Sequence, residues 1–146
     1  MKTTYAILTA ALAIGMTAAT MAQDNGRFYI TDSKSYSTQK IDKAAKNYMT
    51  SLNMDNEGVV ESALAQVAAM KLVAPAMEFS ALREKVAGLV TSGRTPSVRY
   101  KASLALMVFE NPEMFREVRN SQYEDSDQFF IAVAQRIQES LFAGSF

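Results

Sequence analysis

The chain has no cysteine and no histidine among its 146 residues. The first absence excludes a disulfide framework, a thiol nucleophile, a cysteine-bound zinc and a lipid-anchored start, so helix packing alone must hold the fold. The second removes the commonest general base and the usual nitrogen ligand for zinc. Any catalysis would fall to carboxylates, lysines, serines or tyrosines. An excess of one charge is missing too, because 15 Lys and Arg balance 15 Asp and Glu. Without a dominant sign there is no general attraction for nucleic acid or an anionic membrane. Proline occurs only at 75, 96 and 112. Each reads as a helix boundary.

What is present begins with a leader. Lys2, the apolar run Tyr5 to Met16 and the small-residue site Thr20-Met21-Ala22 are the three parts of a secretory signal over 1–22. Threonines interrupt its apolar residues, and the run is short for the roughly 20 a membrane span requires. Cleavage would leave 124 residues with 14 basic against 15 acidic side chains, enough for one domain. The expected localisation is therefore exported, periplasmic or extracellular, with no stable membrane insertion after cleavage. Residues 23–37 are polar and turn-forming and read as a flexible linker whose only apolar cluster is Phe28, Tyr29 and Ile30. The rest, 38–146, forms one helical domain, and its 9 methionines and many alanines suit close packing.

Local signals divide that domain into helices. Ile41, Ala44, Tyr48 and Leu52 lie on one face of a first helix, with Ser37 or Thr38 as its cap. Asn53 to Glu57 supplies caps for a second helix, which runs to about Leu72 before Pro75 stops it. Ser80 is the expected cap of a third, carrying Phe79, Leu82, Val86 and Val90, and Gly93 is its expected left-handed stop. Thr95-Pro96 is the strongest start signal: a hydroxyl cap followed by a residue whose missing N–H costs nothing at the first helical position. That fourth helix reaches Glu110, and a short extra helix is expected over Glu113 to Arg119. Asp125 with Gln128 forms a variant capping box for the last helix, which carries Phe130, Val133, Ile137 and Leu141.

These helices fall into two types. Val98, Ala102, Leu106 and Phe109 of the fourth helix lie 39 residues after Val59, Ala63, Val67 and Met70 of the second, so both carry the same narrow apolar stripe. The first, third and last helices share a different spacing, +3, +4, +4. The order is thus B, A, B, A, B at a period near 40, and neither stripe can be buried by its helix alone. From Thr38 to Phe142 this pattern resembles the HEAT-repeat family, most closely in the Pro-Ser-Val-Arg-x-x-Ala-x-x-Ala-Leu run from Pro96 to Leu106. The resemblance implies an all-α fold, a short solenoid of stacked antiparallel helix pairs with about two and a half repeats. It says little about activity, since the family's motif specifies architecture.

Several possible sites dissolve on inspection. Ser37 and Lys40 have serine–lysine nucleophile spacing, but no K-T-G element follows and the serine serves as a cap. Asn53, Asp55, Glu57 and Gly58 mimic the opening of a calcium loop, yet Leu64 stands where the closing glutamate belongs. Glu124, Asp125 and Asp127 read as first-turn acids. No metal or cofactor is expected.

One row remains. Asn47, Lys85 and Arg136 each immediately precede the third stripe residue of a B helix, so stacking would align them. In the resembled family B helices line the concave partner face, which makes this row the expected binding site; Arg99 and Tyr100 are weaker candidates of the same kind. The expected role is a non-catalytic exported module for a protein or peptide partner, without nucleic acid. The alternative is a structural protein that hides its end helices by dimerising, against which Lys40, Lys43 and Lys46 on the first helix argue.

Overall fold

The computed structural model describes residues 37–144. The expected leader and all of the linker before Ser37 lie outside the described residues. Within them the fold is all-helical, without strands: α1 (Thr38–Ser51), α2 (Glu57–Val73), α3 (Ser80–Ser92), α4 (Pro96–Glu110), a 3-10 turn (Pro112–Phe115), α5 (Arg116–Arg119) and α6 (Ser126–Ala143).

Most helix starts follow from side-chain chemistry. Ser37, Asn56, Thr95 and Asp125 each accept a hydrogen bond from the backbone N–H three residues on, satisfying a donor that has no partner within the helix. Pro96 follows its cap at the first helical position. The box at α6 is reciprocal but shifted: Gln128 N–H donates to Asp125 Oδ1 at 2.9 Å, while its side-chain oxygen accepts from Glu124 N–H rather than from the cap. Ser80 does not cap α3, because it is already helical and Phe79 occupies the cap position without a side-chain bond. Phe79 is held there by packing, edge-on to Phe109 of α4 at 6.5 Å.

Gly93 corrects the expectation of a left-handed stop. Its φ of −55° and ψ of 136° are open to any residue. Space is what demands glycine here: an added Cβ would lie 2.7 Å from the Leu89 carbonyl oxygen and 2.9 Å from Val98 Cγ1. The tight α3–α4 joint brings backbone onto side chain, and Arg99 Nη1 closes it with a 2.8 Å bond to the Gly93 carbonyl.

The packing order explains the core. α1 packs on α2, α2 most extensively on α4, α4 equally on α3, and α3 touches α1. α6 lies against both α2 and α4, together with α5 and the 3-10 turn, and makes no substantial contact with α1 or α3. Placed between α1, α4 and α6, α2 is buried on nearly every side: Val60, Leu64, Ala65 and Ala68 are buried although none belongs to the expected stripe, while Val59 and Met70, which do, are half-exposed. A narrow stripe was the wrong picture for α2, because an alanine-rich helix can bury its whole circumference and then shows little sidedness. Phe115 and Phe129 are fully buried beneath the α4–α6 connection, and the Tyr123 hydroxyl donates 2.9 Å to the Val118 carbonyl.

The far end of α6 departs from expectation as well. Leu141, the last stripe residue, is 68% exposed, and the neighbouring Phe142 is 72% exposed. The fully buried residues of α6 end at Val133; Ile137 is half-buried against the core, and Leu141 to Ala143 are exposed.

Candidate functional site

Charge gathers at one point of this core. Lys101, near the start of α4, extends its ammonium to Glu61 Oε2 of α2 at 2.6 Å and to Asp127 Oδ1 of α6 at 2.6 Å. Three helices from distant parts of the chain meet on one nitrogen. The Lys101 side chain is 12% exposed and that of Glu61 is 19%, whereas Asp127 remains 69% exposed. Burial alone would raise the Glu61 pKa, but hydrogen bonds from Lys101 and Ser97, with the Lys101 charge, outweigh it and leave the carboxyl below its usual value. Burial likewise pulls Lys101 down, and the bonds and charges of Asp127 and Glu61 overcome this and raise it.

The electrostatics decide what this cluster can do. Ser97 and Lys101 stand one helical turn apart beside two carboxylates, a set that could be read as a nucleophile with its base. A lysine accepts a proton from serine only when it is neutral. Lys101 is held in its charged form, so its ammonium serves to join helices rather than to activate Ser97.

Next to the cluster a groove of about 530 Å³ runs between α4 and α6. Ser97, Tyr100 and Lys101 line it from α4, and Asp127, Ile131, Gln135 and Gln138 are among its α6 residues. Tyr100 is 56% and Ile131 57% exposed, so two large apolar side chains stand open to solvent at its rim.

Of the residues expected as a row, Arg136 lies apart from the other two, because α6 makes no substantial contact with α1 or α3. Asn47 is exposed on α1, and Lys85 is half-buried on α3, in a shallow groove of about 330 Å³ shared with Met49 of α1. Arg136 is engaged on α6: its Nε donates to the Met114 carbonyl at 2.9 Å and its Nη1 pairs with Glu139 at 3.2 Å. The α1–α3 contact gathers the surroundings of Lys85, while Arg136 sits against the 3-10 turn.

Of the two residues singled out on α4, Tyr100 reaches the larger groove and Arg99 serves the Gly93 joint. The calcium-like loop spends its oxygens elsewhere, with Asn56 capping α2 and Asp55 pairing with Arg94 at 2.7 Å. Sequence reasoning missed the Lys101 cluster. A signal existed: under the 39-residue superposition Lys101 falls on Ser62, adjacent to Glu61, so neighbouring A helices bring opposite charges together. No described helix is long and apolar enough to cross a membrane. No protein-family model, curated protein or solved structure matches the chain.

Proposed function

We propose that the chain is a non-catalytic, exported protein-interaction module built on HEAT-like helical hairpins. Support for the hairpins comes from α1–α2 and α3–α4, whose A-type members pack side by side at a 39-residue offset while their B-type members touch. α6 does not extend that B row. It covers α2 and α4 and in doing so forms the wall of a groove.

The observation that carries the interaction role is the α4–α6 groove itself, with Tyr100 and Ile131 exposed beside a salt-bridged charge cluster. Aromatic and aliphatic anchors around a desolvated centre are the energetic part of protein interfaces. Charged Lys101 favours a binding role over a catalytic one. A second surface, the α1–α3 groove with Met49 and Lys85, is supported by its volume.

Site-specific photo-crosslinking in the producing cell tests the reading. A photoreactive phenylalanine analogue at Ile131, at Lys85 and at the exposed control Gln122 should give a discrete protein adduct from Ile131. Adducts from Lys85 alone would move the site to the second groove. Absence of adducts from every position would refute the module.

A further inference from the structure

The outward face of α6 has a symmetry that selects its partner. Ile131, Gln135, Gln138 and Phe142 are all exposed and spaced +4, +3, +4, so they form one straight stripe on the side opposite buried Val133. In order the stripe reads apolar, amide, amide, apolar, and it reads the same backwards. These four positions carry no charge, and the next position on the same line, exposed Asp127, is paired with Lys101. The exposed face of α1, by contrast, bears Lys40, Asp42, Lys43 and Lys46.

We infer that this stripe docks on the same stripe of a second copy, antiparallel, about a two-fold axis between Gln135 and Gln138. The inference rests on the proposed interaction role of the α4–α6 groove and names its occupant. A two-fold contact requires self-complementarity, each residue i meeting j while j meets i. Here Ile131 meets Phe142 of the second copy, and Gln135 meets its Gln138. A primary amide both donates and accepts, so a glutamine pair across the axis can hydrogen-bond without any other residue type.

The arrangement accounts for two features of the monomer together. The exposed Phe142 would enter the groove of the second copy beside Tyr100 and Ile131, filling an open volume with its ring. Arg136 and Glu139 pair with each other off the stripe, so no like charges face across the axis. Two helix faces of this length bury on the order of 1,000 Å² in total, at the weak end of specific interfaces, so the dimer should be concentration-dependent.

Sedimentation of the purified protein across a wide concentration range is the test. The average mass should rise with concentration to twice that of one chain. Ile131→Glu should weaken association at least tenfold with unchanged helicity, since position 131 is exposed. The double variant Ile131→Glu/Phe142→Lys sets opposite charges across the axis and should recover much of the loss. Because the chain has no cysteine, Gln135→Cys/Gln138→Cys should oxidise rapidly to a covalent dimer while Gln122→Cys does not.

A protein that stays monomeric at every concentration, or a dimer indifferent to Ile131→Glu, overturns the inference. If the purified protein is monomeric but Ile131 still crosslinks to a different protein in cells, the second copy is refuted and the interaction module stands. If both readouts are blank, both readings fail.

Discussion

Replacing Lys101 with methionine keeps the length of the stem and removes only the charge that joins α2, α4 and α6. Glu61, 19% exposed, would then sit half-enclosed without its cation, while Asp127, 69% exposed, can turn to water. Breaking a fully buried pair costs about 3–5 kcal/mol and an exposed pair about 0–1. This intermediate geometry places Lys101→Met at about 2 kcal/mol. For a domain of this size that is a fall of about 8 °C in Tm, read by circular dichroism or calorimetry at pH 7.

The pH dependence sharpens the test. Glu61 has a folded pKa below its ordinary 4.5, so its contribution is present above that value and is lost as pH falls through the folded one. Lys101 has a folded pKa above its ordinary 10.5, so its contribution is present below 10.5 and is lost as pH rises through the folded one. The gap between wild type and Lys101→Met should therefore be flat from about pH 5 to pH 10 and narrow in strong acid. Adding Glu61→Gln to Lys101→Met should return most of the stability, since no buried charge is then left alone. Equal Tm values at pH 7, or a gap undiminished at pH 2, would refute the account of this cluster.

Other variants probe separate joints. Gly93→Ala forces a methyl against the Leu89 carbonyl and Val98 and should cost about 1–3 kcal/mol in urea unfolding, although no unusual backbone angle is involved. Asp125→Ala removes the α6 cap and should cost about 1 kcal/mol, with Asp125→Asn close to neutral. Phe115→Ala, which empties a fully buried site beneath the α4–α6 connection, should cost about 3–5 kcal/mol and lower Tm more than any of these. Lys85→Glu combined with Arg136→Glu should leave any adduct from Ile131 intact if the α4–α6 groove is the docking face; loss of that adduct with normal folding would return the site to the B-helix row.

The parts legible in the sequence were those set by neighbours a few residues apart. Ser37, Thr95-Pro96 and Asp125 revealed their helices because a cap and the N–H it satisfies are three positions apart. The short element after Asn111 was visible too, although it divides into a 3-10 turn and α5, and Asn111 lends it no side-chain bond.

Gly93 was flagged as special for the wrong reason, since crowding from α4 leaves no local trace. Periodicity misread α2 because alanine serves equally on a buried or an open face. The Lys101 cluster links positions 61, 101 and 127; the 39-residue offset hints at the first two, but Asp127 joins them only because α6 lies against α2 and α4. The groove was out of reach for the same reason: nothing local tells α6 to lie across α2 and α4 instead of beside α3.

The methyl groups of Ala65, Ala68, Ala102 and Ala105 are all without solvent exposure, on the chain's two innermost rods, which pack extensively on each other. Such closed positions work as shims: one extra methylene on any of them has no open space to enter, and its surroundings would have to give way.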